Sequence, residues 1–76
     1  MNKLEQLYNE KACKEALREV NIELLERSIA KAPKENYEYE WFLKSIENSV
    51  AEIRKTNKEI DDIYEAIDKE LGKKEF

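Results

Sequence analysis

The sequence predicts an all-α fold: an antiparallel two-helix hairpin (about 2–30 and 36–71) associating into a homo-oligomeric helical bundle. Three observations predict it. From Tyr39 to Leu71 the apolar residues fall in alternating steps of three and four, through Tyr39, Leu43, Ile46, Val50, Ile53, Asn57, Ile60, Tyr64, Ile67 and Leu71. That is a heptad seam with one polar interruption, and it is the expected oligomer core. The only proline, Pro33, separates this seam from an earlier helix-forming stretch. The composition is 42% charged with one Gly and one Pro, and rich in Glu, Lys, Leu and Ile, which favours long helices over sheet or disorder. At 76 residues the chain, 1–76, is a single domain near the size where one core is marginal without disulfides, metal or a second copy.

The first helix starts at Asn2, which can cap it, with Glu5 three residues on to complete a reciprocal box. Its apolar residues lie on two sides. At 100° per residue, Leu4, Leu7, Ile22, Leu25, Ile29 and Ala32 share one side, while Cys13, Ala16, Leu17, Val20 and Leu24 lie nearly opposite. One side can be covered by the second helix; the other needs a further chain. Between Leu7 and Ile22 the first side carries Lys11, Lys14 and Arg18. The plain expectation is that these long side chains cover an apolar seam and push their charges into water, with Glu10 pairing to Lys14. The sharper one is that they meet acids on a partner or hold an anionic ligand.

Lys31 to Asn36 forms the connection. Pro33 lacks an amide hydrogen and disfavours a helical Ala32, so the first helix ends near there. Asn36 is then placed to cap the second helix, with Glu38 and Glu40 at its positive end. So short a link makes the helices antiparallel neighbours. Next comes Tyr37-Glu38-Tyr39-Glu40-Trp41-Phe42, in which Tyr37 and Trp41 point away from the seam. Packing of both rings on the end of the first helix is the plain expectation. The functional one is a partner-binding anchor of Tyr37 and Trp41 with Glu38 in its acidic rim, since such rings dominate interface energies. Below Trp41, Ser45, Asn48, Ser49, Glu52 and Thr56 make a face of mostly small polar groups, open to close helix packing or to water.

In the second helix Ile46, Ile53, Ile60 and Ile67 fill one seam position, and Leu43, Val50, Asn57, Tyr64 and Leu71 the other, with Phe42 and Ile63 widening the stripe. A stripe this wide favours a bundle over an isolated two-stranded coil. Asn57 has to face another polar group, as a register device. Pairing Ile29 with Tyr39 makes neighbouring positions sum to about 68, which sets Asn57 opposite Lys11 in one polar layer with Lys14, Arg18 and Arg54. Gly72 is the expected stop, leaving 72–76 as a short flexible tail.

The chemistry of most enzymes is missing. There is no His, one Cys and one Gly, hence no common general base, no zinc set and no phosphate-cradling loop. The acids of the second half lack the Asp-rich loop of a calcium site. The reading is a non-enzymatic protein without cofactor or metal. Cys13 is expected as a small buried apolar residue. The net charge is −4 with cations scattered among acids, so neither nucleic acid nor membrane is an expected partner. No apolar run spans a bilayer and Met1 to Glu10 lacks the pattern of a signal peptide, so a cytoplasmic location is expected.

The function these features favour is a small homo-oligomeric adaptor or inhibitor of another protein. Its Lys-, Glu-, Ile- and Asn-rich composition fits an AT-rich genome such as that of a phage or mobile element. The alternative is a binder of a small anion such as a nucleotide, held by Lys11, Lys14, Arg18 and Asn57 or between subunits. A third reading, mimicry of nucleic acid, is weaker. The 12 acidic and 8 basic residues from Pro33 onward are too interleaved to imitate a phosphate ladder.

Overall fold

The computed structural model describes residues 2–74. Two helices pack against each other: α1 (Lys3–Ala30) and α2 (Tyr39–Lys74), joined through a short 3-10 turn at Asn36–Glu38. Asn2 caps α1, its Oδ1 accepting from the Glu5 amide at 2.8 Å. At the other end the Lys31 amide donates to the carbonyls of Arg27 and Ser28, both at 3.2 Å, and Ala32 donates to Ile29 at 3.1 Å. Pro33 has no amide hydrogen with which to continue.

Two boundaries differ from expectation. Asn36 does not cap α2. It lies inside the 3-10 turn, and the extended residue before it, Glu35, makes no side-chain cap bond. α2 grows directly out of that turn at Tyr39. Gly72 does not end the helix either, because it takes no positive φ and α2 runs through it to Lys74. Residues 75 and 76 of the expected tail lie outside the described residues.

The helices are antiparallel, as ion pairs between Lys3 and Glu70 and between Lys14 and Glu59 require. These pairs also fix the register. Positions 14 and 59 sum to 73, and the hydrogen-bonded positions 18 and 57 sum to 75, where 68 was expected. The difference arises at the turn, where residues 31–38 swing wide enough for the first turn of α2 to overshoot the end of α1. Ile29 is therefore level with about residues 44–46 of α2 instead of Tyr39.

In this register α2 turns toward α1 the row Ile46, Ile53, Ile60 and Ile67 together with the row Ser49, Thr56 and Ile63. Ile60 and Thr56 are each only 2% exposed. The small polar row below Trp41 is thus a packing surface at Ser49 and Thr56, where short side chains allow α1 to approach. No buried polar side-chain atom among the described residues lacks a partner. The apolar core sits toward the open end of the hairpin, where Leu7, Ile63 and Ile67 are buried with Leu4 and Ala66 packed on them. Toward the turn the seam thins, and Ile22, Leu25, Ile46 and Ile53 are half-buried.

The second seam row lies at the flank of the contact with α1, touched there only by long cationic side chains among the described contacts. Leu43, Asn57, Tyr64 and Leu71 are exposed in the single hairpin, Val50 is half-buried, and Tyr39 is exposed as well. Helical phase puts this row one step around from the Ile46–Ile67 row, so covering it requires something beyond the two helices. Cys13 is exposed too, against the expectation of burial, because it lies on the side of α1 turned away from α2.

Candidate functional site

Viewed down its long axis the hairpin has two open sides, which we name after Asn57 and Trp41. The Asn57 side carries Tyr8, Glu15, Ile22 and Ile29 from α1, and Leu43, Val50, Asn57, Tyr64 and Leu71 from α2. The Trp41 side carries Leu17, Val20 and Leu24 from α1, and Trp41, Ser45, Asn48, Glu52 and Glu59 from α2. Both follow from the heptad phase and from the contacts that cross between the helices.

On the Trp41 side, near the turn, Tyr37 is 79% and Trp41 78% exposed. Neither ring packs on the end of α1, which corrects the plain expectation for them. The wide turn carries them past the last residues of α1, and Pro33 is the half-buried residue there. The two rings border an open cleft of about 570 Å³ lined by Lys31, Pro33, Tyr37, Glu38, Trp41 and Phe42. Phe42 is anchored edge-on against Tyr39, with ring centroids 5.8 Å apart at 80°. Two smaller clefts continue along the same side. One of about 170 Å³ joins Trp41, Lys44, Ser45 and Asn48. Another of about 180 Å³ joins Asn21, Leu24, Asn48, Ser49 and Glu52. A groove therefore runs from the aromatic turn to the middle of the hairpin.

The cations of α1 find their partners within the chain. Arg18 Nη1 donates to Asn57 Oδ1 at 2.6 Å, giving Asn57 the polar partner its seam position demands. That partner is Arg18 and not Lys11, since the register is shifted. Lys11 lies over the Tyr64 ring, 5.1 Å from its centroid, and pairs with Glu15 at 3.6 Å. Lys14 makes its ion pair with Glu59 across the helices instead of with Glu10. The expected single polar layer is thus a ladder of separate pairs spread along the seam.

Two of these groups titrate away from their ordinary values. Partial desolvation opposes the charge on Lys11, but the Glu15 carboxylate and Tyr64 outweigh it and raise its pKa. Glu59 is lowered, chiefly by its hydrogen bond from Lys14. An anion seated among Lys11, Lys14 and Arg18 would have to compete with Glu15, Glu59 and Asn57 for them.

Among the described residues no group of His, Cys, Asp or Glu is arranged to hold a metal ion. No described helix is long and apolar enough to cross a membrane. Compared with known proteins, the chain matches no family model, no curated protein and no solved structure.

Proposed function

We propose that this chain is a non-enzymatic adaptor or inhibitor that acts as a homo-oligomer and docks another protein along its Trp41 side. The observation that carries the reading is the exposed pair Tyr37 and Trp41 at the mouth of the 570 Å³ cleft. Leaving two large rings in water forgoes their burial, and rings in that position are the commonest energetic centres of protein interfaces. The groove below them, flanked by Leu17, Val20 and Leu24, suits an amphipathic helix that places apolar anchors at successive turns. Acids and lysines alternate along it, so the occupant is read mainly by its apolar side chains.

Trp41 is the only tryptophan and reports directly on its own surroundings. A partner captured from the native host and titrated against the purified chain should shift Trp41 emission to the blue. Trp41→Ala, with binding followed by calorimetry, should weaken the complex about 30-fold, the scale of an interface hot spot. Undiminished affinity in that variant would remove the anchor from the proposal.

A further inference from the structure

The Asn57 side carries a second row of exposed apolar residues running the length of both helices. Tyr8, Ile29, Leu43, Tyr64 and Leu71 are each between 41% and 53% exposed, and Ile22 and Val50 are half-buried among them. The area left open is of the size a dimer needs. The hairpin exposes 6275 Å². A compact monomer of 9.1 kDa exposes about 4,900 Å² by the scaling of surface with mass, so the surplus is roughly 1,400 Å². The stretch from Tyr39 to Leu71, at 1.5 Å per residue, and the 16 Å width of the hairpin outline about 770 Å². A stable interface takes about 800 Å² from each partner.

The order of residues on this face fits a copy of itself. Leu43, Val50, Asn57, Tyr64 and Leu71 are spaced by sevens, and Asn57 is the middle one. A copy turned head to tail about Asn57 sets Asn57 on Asn57, Val50 on Tyr64 and Leu43 on Leu71. Bulk is then matched as well. Tyr8 and Tyr64 thicken the open end while Ile22 and Val50 thin the turn end, and only the head-to-tail arrangement keeps the helix spacing even along the bundle. In the head-to-head arrangement Tyr64 meets the copy's Tyr8 and Val50 meets its Ile22, leaving one end too wide. The charged groups of this face cluster at its middle, where each Glu15 lies between Lys11 and Arg18 of its own helix. Asn57 Oδ1 already accepts from Arg18, and its amide hydrogens can be met by the second copy's Asn57 Oδ1.

We propose that the Asn57 side binds a second copy of the chain head to tail, with Asn57 on the two-fold axis, forming an antiparallel four-helix bundle. The proposal rests on the self-association in the reading above and assigns it a face, a direction and a register. Every neighbouring pair of helices in such a bundle is antiparallel, and the Trp41 sides of both copies face outward, free for another protein.

The test is sedimentation equilibrium at about 50 µM together with cysteine cross-linking of the full chain. The expected mass is twice the 9.1 kDa of one chain. Val50→Glu should convert it to monomer, and Ala51→Glu, which puts the same charge on the exposed back of α2, turned away from α1, should not. Because Val50→Glu can weaken folding, a second measurement uses Cys13→Ser with Asn57→Cys. Only a two-fold through that position brings the two thiols within bonding reach, so mild oxidation should give a covalent dimer. Monomer mass for the unaltered chain, or a dimer that survives Val50→Glu, would overturn the proposal. Cross-linking of Glu15→Cys to Asn57→Cys between chains, without cross-linking at Asn57→Cys alone, would overturn the head-to-tail direction. Partner binding through Trp41 is read separately: monomer mass removes self-association from both proposals and leaves docking along the Trp41 side standing, whereas loss of Trp41 docking leaves the dimer standing.

Discussion

At the residue scale, the cations of α1 decide how the seam tolerates charge. Three of them follow the spacing of the apolar residues, yet each is held by its own chain: Lys11 by Glu15 and Tyr64, Lys14 by Glu59, Arg18 by Asn57. Their titration gives stability a definite dependence on pH. Glu59 is lowered from 4.5, so its contribution is present above 4.5 and is lost as pH falls through its lower folded value. Lys11 is raised from 10.5, so its contribution is present below 10.5 and is lost as pH rises through its higher folded value. Thermal unfolding followed by circular dichroism should therefore show a melting temperature that declines on both limbs. Glu59→Gln should flatten part of the acid limb and leave the alkaline limb unchanged. Both groups are partly exposed to solvent, so the effects are small and should shrink further in high salt. An acid limb as steep in Glu59→Gln as in the parent would show that the Lys14 pair contributes nothing. The identity of these partners was hidden from the sequence, because a shift of seven residues exchanges Asn57 for Tyr64 opposite Lys11 without disturbing any periodicity.

At the scale of the elements, the four isoleucines of one row of α2 are equivalent in sequence and unequal in place. Ile67 is 4% exposed in the core beside Leu7, whereas Ile46 lies toward the turn and is half-buried. Ile67→Ala should cost about 2–5 kcal/mol, the usual penalty for emptying a filled core site. Ile46→Ala should cost at least about 1 kcal/mol less, since its surroundings are partly solvent. Urea unfolding of both variants checks the order, and equal losses would mean that the turn end is as well packed as the open end. The existence of α2 was legible from periodicity, and that of α1 from the Asn2 cap and the absence of a breaker before Pro33. The start and stop of α2 were not. Asn36 and Gly72 are a favoured cap and a favoured stop, but a 3-10 lead-in supplies the first turn of α2, and a glycine ends a helix only where it adopts a positive φ.

At the scale of the whole molecule, the hairpin measures 62 × 16 × 13 Å, with a radius of gyration of 17.7 Å. A compact chain of this length would have a radius near 11 Å. Two helices side by side cannot enclose a residue on all sides, which is why Leu7, Ile60, Ile63 and Ile67 are the apolar residues buried among those described. If burial is completed by a second copy, stability depends on mass action, and the melting temperature should rise by several degrees between about 5 and 500 µM chain. A melting temperature independent of concentration would count against the dimer.

Two helices, their antiparallel order and the apolar rows each presents were legible in the chain's residue pattern, because the period of 3.6 and the reach of a short link leave little else. The same pattern placed Tyr37 and Trp41 off the seam. Packing of the two helices sets which rows meet, that Thr56 and Ser49 admit α1, that Leu43, Tyr64 and Leu71 are left exposed, and that Arg18 is the partner of Asn57. Register is a property of the pair of helices and of the turn between them. A heptad pattern repeats every seven residues, so it looks the same after a slip of one heptad, and only the path of residues 31–38 removes that degeneracy.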